Sequence, residues 1–393
     1  MSAPAIPRGV WILGLVSLCM DLSSELVHSL LPLFLVTALG ASALAVGVVE
    51  GVAEATALFV RVFSGAFSDW LGRRKPLAVL GYGLGACAKP LFALALSVSW
   101  VLAARVLDRI GKGIRGAPRD ALVADLAPAA VRGAAYGLRQ SLDTVGAFLG
   151  PLLAVFLMLA WAGDFRAVFW FAALPAAAAV LLLVAGVREP MQALRRDRTP
   201  NPLRFRALRE FGAAFWFAVA AGMVFTLARF SEAFLVLRAH DVGLSAAWAP
   251  LVLVAMNAAY ALSAYPAGVL ADRRSHRALL AAGLAALVAA DLALALAGGL
   301  AAVFAGVALW GLHMGLTQGL VATMVAATAP AGLRATAFGL HGFASGVATL
   351  AASAIAGVLW DRFGAPVTFL GGAAFAAAAL AMLAYAPGGA ARR

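Results

Sequence analysis

The sequence predicts an all-α membrane protein with about twelve transmembrane helices in two pseudo-symmetric six-helix bundles. Three observations carry that prediction. Of 393 residues, 64% are hydrophobic and 12% are charged, about half the charged share of a soluble domain. The apolar residues fall into runs of about 20, the length that crosses a bilayer. Two loop motifs also recur in the two halves: Gly65-x-x-x-Asp69 followed by Arg73 and Arg74, and Gly268-x-x-x-Asp272 followed by Arg273 and Arg274.

The segments run in order at 10–36, 44–68, 77–96, 98–116, 134–160, 167–187, 211–237, 246–270, 278–297, 299–327, 335–359 and 366–386. The first reads as a retained helix, because Asp21 and Glu25 interrupt an apolar run that a cleaved signal would keep free of charge. The sixth is followed by the one long polar stretch, which holds Pro190, Pro200 and Pro202 and seven arginines. Residues 1–187 therefore form one bundle, 188–210 a cytoplasmic linker with a short surface-lying piece at 203–208, and 211–393 a second bundle. Cys19 and Cys87 both fall within spans and offer neither a disulfide framework nor metal spacing.

The net charge of +12 is distributed as a topology signal. Basic residues gather in alternate loops, including Arg73, Arg74 and Lys75, then Arg115, Arg119 and Arg132, then the 188–210 stretch, then Arg273, Arg274 and Arg277. The intervening loops hold only Arg166, Arg238 and Arg362. The positive-inside rule places both termini and the basic loops in the cytoplasm. This pattern argues against a nucleic-acid footprint.

The halves repeat. Residues 127–138 (Ala-Pro-Ala-Ala-Val-Arg-Gly-Ala-Ala-Tyr-Gly-Leu) are echoed at 329–340 (Ala-Pro-Ala-Gly-Leu-Arg-Ala-Thr-Ala-Phe-Gly-Leu), an offset of 202. Gly65 and Gly268 are offset by 203. Matches on the same membrane side at nearly one offset describe parallel repeats about an axis along the membrane normal.

With these motifs the chain resembles the major facilitator superfamily over essentially its whole length. Gly65, Asp69, Gly72, Arg73 and Arg74 are similar to that family's loop 2–3 signature, and Gly268, Asp272 and Arg273 to its degenerate second copy, in which Ser275 replaces a glycine. The resemblance implies a conformational latch at these residues. Arg105, in Arg105-Val-Leu-Asp108-Arg109-Ile-Gly111-Lys112-Gly113, matches the helix-4 arginine associated with proton coupling in drug-efflux branches, although Asp108, Arg109 and Lys112 depart from the commonest form. Gly146, Gly150 and Pro151 resemble the helix-5 antiporter motif, in which the glycines are expected to meet a helix of the other half and the proline to bend the helix. Residues 111–120 look like those of a bacterial efflux subgroup. The glycines at 111–116 do not form a phosphate loop, because no Gly-Lys-Ser/Thr ending and no strand accompany them.

Charges at membrane depth are costly and mark function. Asp21, Glu25 and His28 share a face of helix 1, Glu50, Glu54 and Arg61 one of helix 2, Arg105, Asp108, Arg109 and Lys112 one of helix 4, and Arg139 and Asp143 one of helix 5. A carboxyl kept from water holds its proton to higher pH than one in bulk. Asp21 is therefore the leading proton carrier, with Glu25 or Glu54 as relay and Arg105 as the modulating charge. His28, Glu50, Arg61, Asp108, Arg109, Arg139 and Asp143 are expected in the cavity of the first half. Arg229, Glu232, Asn257, Tyr260, Asp291, His313, Gln318 and His341 are expected in that of the second, with Phe225, Phe230 and Trp310 as apolar candidates.

The reading is a monomeric secondary transporter in a bacterial inner membrane that exports a small molecule in exchange for protons. Lipids and protons are its other partners, and it needs no cofactor and no resident metal. An importer of the same architecture is the nearest alternative. Divalent metal efflux would use the helix 1–2 acids and His28. An intramembrane enzyme would need a nucleophile–base pair, for which Ser23 and Ser24 near His28 are the nearest residues.

Overall fold

The computed structural model describes residues 6–71, 73–189, 211–273, 275–317, 320, 325, 328 and 334–385. Gly72, Gln318, the polar stretch 190–210 with its piece at 203–208, and residues 329–333 of the second repeat lie outside the described residues. So do the side chains of Asp69, Asp272 and Arg273.

All regular structure among the described residues is helical. The helices are α1 (Arg8–His28), α2 (Ala43–Leu71), α3 (Lys75–Ala93), α4 (Val98–Leu126), α5 (Arg132–Ala160), α6 (Phe165–Gly186), α7 (Ala213–Leu227), α8 (Ala233–Asp241), α9 (Leu251–Arg273), α10 (His276–Ala295), α11 (Leu300–Thr317), α12 (Arg334–Phe363) and α13 (Ala365–Tyr385). Ten spans among them are long and apolar enough to cross a membrane. They present large apolar side chains outward, with Phe156, Leu174, Leu181, Leu262 and Tyr265 each more than 60% exposed. Such a surface is stable only against lipid.

Two expected segments differ from the ten. The fourth was expected to end near residue 116, with Arg115 and Arg119 in a loop. Instead α4 continues unbroken to Leu126 and both arginines stand on it. Its glycines do not end it because they are contact points: a Cβ at Gly111 would lie 2.6 Å from the Gly81 carbonyl oxygen of α3, and one at Gly113 2.6 Å from Val60 of α2. Close approach of backbones is what small residues contribute between membrane helices. The seventh segment, expected to be continuous over 211–237, is broken between α7 and α8, and Arg229, Phe230 and Glu232 occupy the break. Non-helical backbone at membrane depth is tolerated where protein or a wet cavity surrounds it.

Local chemistry explains several ends. Pro32 has no N–H to continue α1, so the chain passes through a short turn (Leu31–Leu33) and a π turn (Phe34–Ala38) before α2. Ser97 caps α4 by accepting from the Trp100 N–H at 3.3 Å, and Asp164 caps α6 by accepting from Arg166 and Ala167 at 2.9 and 3.1 Å.

The chain divides into two compact units. One runs to Phe34, resumes at Thr56 and includes the rest of α2 through α6; the other takes Leu35–Ala55 together with α7–α13. The first unit's core joins Leu13 and Met20 of α1, Tyr82 of α3, Leu122 of α4 and Leu183 of α6. One core cluster of the second unit joins Phe225, Leu280, Leu284, Ala379 and Leu383. Each unit has an arginine, at positions that the repeat does not relate, bound to the end of a helix. Arg166 donates to the carbonyls of Ala93 and Ala95 at the end of α3, at 2.8 and 2.7 Å. Arg238 donates to the carbonyls of Ala295 and Ala297 at the end of α10, at 3.5 and 2.9 Å. The two acceptor pairs are related by the same offset as the sequence repeat.

Within the second unit, the start of α2 is fastened to the end of α12. Asp361 accepts from the Ala43 and Leu44 N–H groups, each at 2.9 Å, and a Cβ at Gly357 would lie 2.5 Å from Leu44 Cα. A carboxylate on two otherwise unsatisfied helix N–H groups acts as an N-cap supplied from another helix. Asp361→Ala is expected to cost about 0.5–2 kcal/mol, read as a lower unfolding free energy of the detergent-solubilised protein. A loss below ~0.3 kcal/mol would show that water replaces the cap at no cost.

Candidate functional site

The first unit encloses a dense set of charges. Lys89 on α3 is 1% exposed, yet its Nζ lies 2.7 Å from Asp108 Oδ1 on α4 and donates to Ser24 Oγ of α1 at 3.1 Å. Arg109 Nε is 3.9 Å from the other Asp108 oxygen. Arg115 sets its guanidinium over the Tyr82 ring, 5.0 Å from the centroid. Gly85 leaves the room this needs: a Cβ there would stand 3.0 Å from Arg115 Nη1 and 3.7 Å from Asp108 Oδ1. Arg105 is also 1% exposed. It precedes Asp108 by three residues and Arg109 by four, so all three share one face of α4.

A second group joins α1 to α5. The Asp21 carboxyl lies close to that of Asp143, where α1 packs against α5. Asp143 is also held by Arg139 Nη1 at 3.2 Å and by Arg119 Nη1 at 3.7 Å. Both arginines reach Asp120, Arg119 at 3.1 Å and Arg139 at 3.8 Å. Gly146 and Gly150 create this juxtaposition. A Cβ at Gly146 would lie 2.6 Å from the Leu18 carbonyl and 3.2 Å from Asp21 Cβ; one at Gly150 would lie 2.8 Å from Glu25 Cβ. The expected partner of these glycines, a helix of the other half, is thus corrected to α1 of the same unit. The reason is that the faces of α1 carrying Asp21 and Glu25 are the ones α5 packs against, and only hydrogen at Cα fits there. Pro151 lies inside α5 beside them. Gly150→Ala is expected to cost about 1–3 kcal/mol by overpacking and to lower transport further than stability alone would, since it pushes on Glu25. Unfolding and transport measured on the same preparation check this; an unperturbed variant would sink it.

The remaining expected residues are distributed as follows. His28 Nδ1 is 3.3 Å from Glu25 Oε2. Glu50 is 1% exposed and, with Glu54, lies in the part of α2 grouped with the second unit; Arg61 lies in the part grouped with the first and is exposed beside Gly116. Arg74 pairs with Asp125 at 2.7 Å inside the first unit, and its N–H donates to Glu189; Arg73 is exposed. Gly65 lies within α2, and a Cβ at Gly268 of α9 would meet nothing within 4 Å. In the second unit, the Arg229 guanidinium lies 5.8 Å from the Phe225 ring centroid, with Glu232 and Tyr260 near enough to act on its charge. The His313 ring is 5.5 Å from Phe225, and its Nδ1 lies 2.7 Å from the Gly283 carbonyl. Asn257 is half-buried on α9 and His341 on α12. Among the described residues, no three His, Cys, Asp or Glu side chains gather as metal ligands.

Two residues escaped the sequence reading. Lys89 carried a signal, a single lysine inside the apolar segment 77–96. Asp361 carried none, because its partners on α2 are more than 300 residues away.

Helices long and apolar enough to cross a membrane, with ion pairs buried among them, describe an integral membrane protein. The sequence profile of the Major Facilitator Superfamily matches residues 13–349 and again 217–391, and the chain belongs to that family of transporters. It is 30% identical to the uncharacterized MFS-type transporter MJ1317 of Methanocaldococcus jannaschii over 94% of this chain and 93% of that one. It is 32% identical to the multidrug resistance protein MdtH of Edwardsiella ictaluri over 48% of this chain and 49% of that one. Its fold is similar to that of the nucleoside transporter NupG, with a TM-score of 0.79 at 11% identity over 96% of this chain and 99% of that one. It is also similar to that of the human organic anion transporter MFSD10, with a TM-score of 0.69 at 20% identity over 97% and 100%.

Proposed function

We propose that this transporter exports a small molecule across a bacterial inner membrane in exchange for protons. It crosses twelve times as two six-helix bundles, with both termini in the cytoplasm. The observation that carries the proposal is the placing of Asp21 beside Asp143 where α1 packs against α5. Two carboxyl groups close together disfavour each other's ionisation, so one of them holds a proton more readily than the other. Asp143 is occupied by two guanidinium groups, so Asp21 is the group that gains and loses the proton. Arg105 modulates that exchange, and Glu25 or Glu54 serves as the relay. The partial likeness to MdtH supports export.

The test uses inside-out vesicles with an acid interior. Lipophilic cations, organic anions, sugars, nucleosides and divalent metals are added in turn while interior pH is followed. Export by antiport is expected to drain the proton gradient with one of these classes. A substrate that enters right-side-out vesicles together with protons would instead establish import and overturn the proposal.

A further inference from the structure

Asp291 on α10 is completely buried, at 0% exposure. Neither of its carboxyl oxygens meets a hydrogen-bond donor among the described residues. Its surroundings are apolar and tight. A Cβ at Gly372 of α13 would lie 2.6 Å from Asp291 Oδ2 and 2.8 Å from the Phe230 ring. Phe230 in turn packs on Trp310 and Phe369, with centroids 5.4 and 5.5 Å away. The absent side chain at position 372 is what makes space for the carboxyl.

Among the described residues, none of the titratable groups on the elements around it is hydrogen-bonded to Asp291. On α11, His313 turns Nδ1 to the Gly283 carbonyl, and its buried Nε2 meets no hydrogen-bond partner among the described residues. On α8, Arg238 pairs with Asp241 at 2.6 Å and donates to the Leu294 and Ala297 carbonyls. In the break before α8, Arg229 has Glu232 as its neighbouring acid. No Asp, Glu, Lys, Arg or His occurs in α13. On α9, Asp272 and Arg273 lie at the far end of the helix. No charged side chain among the described residues acts on Asp291. An ionised carboxylate so placed would carry an uncompensated desolvation cost, whereas the neutral acid carries only that of a polar group.

We propose that Asp291 is a proton-binding site in the second unit, loaded while enclosed as it is here and emptied when water reaches the α10–α13 face. It is separate from the Asp21–Asp143 pair and would return one further proton per cycle. Only this transport consequence rests on the proposed antiport; proton binding itself is independent of it.

The test begins with infrared pH titration of the purified full-length protein. The wild type is expected to retain, at neutral and mildly alkaline pH, a protonated-carboxyl C=O band that is lost in Asp291→Asn and shifted in Asp291→Glu. Asn has the size of the neutral acid, so the packing is kept. Identical spectra in the wild type and Asp291→Asn would overturn the proposal. Proton counts per substrate in vesicles then separate the roles: one proton fewer in Asp291→Asn supports the site, and an unchanged count beside a lost band overturns its part in the cycle. If the band is present but the wild type exchanges no protons for any substrate, the antiport reading fails and the proton site stands.

Discussion

Vesicles carrying Asp21→Asn are expected to lose proton-driven exchange down to the level of vesicles without the protein. The asparagine retains the shape of the side chain, but it has no proton to release. Substrate binding by the purified variant is therefore expected to persist while the substrate no longer drains an imposed pH gradient. Asp143→Asn should behave differently. It removes the charge that engages Arg119 and Arg139, so it is expected to lower stability as well as transport. The measurement is interior pH in oriented vesicles, with binding followed in parallel. Full proton coupling in Asp21→Asn would remove Asp21 from the mechanism.

Lys89→Met is expected to lower stability by at most about 3–5 kcal/mol, the cost of removing one partner of a buried ion pair, because Arg109 still neighbours the other Asp108 oxygen at 3.9 Å. Lys89 and Asp108 are each at most 2% exposed at the side chain and meet at 2.7 Å. Without the ammonium group, the Asp108 oxygen nearest α3 loses its donor, and Ser24 loses the same partner. Unfolding of the detergent-solubilised protein measures the loss. The double variant Lys89→Met with Asp108→Asn should recover part of it: the carboxylate left without its ammonium is gone, but Arg109 loses the same acid. A single-variant loss below about 1 kcal/mol, the range of a solvated pair, would mean that water reaches this pair and that the first unit is more open around α3 and α4.

The legible part of the site was its inventory. Asp21, Glu25, Glu50, Asp108 and Asp143 stand out in the sequence because charge at membrane depth is rare and must be offset by a partner or by water. The partners were not legible. Nothing in the order of residues pairs Asp108 with Lys89 in preference to Arg105 or Arg109, its neighbours on α4. The helix-5 glycines show the same limit. Their spacing announces a close contact, but whether α1 or a helix of the other half supplies the neighbour depends on how α5 is rotated.

Composition and repetition by themselves determined that the chain crosses the membrane many times, that its halves echo one another and that its charges cluster on particular helix faces. These are properties of local hydropathy and periodicity, and they do not depend on which helix meets which. Only the tertiary structure decided that α4 runs on to Leu126, that the segment after α7 breaks at Arg229, that Asp361 caps α2 and that Asp291 meets no donor among the described residues. Each of these depends on backbones brought within a few ångströms of each other by residues far apart in the chain, and such contacts are selected by packing and by the need to satisfy buried polar groups.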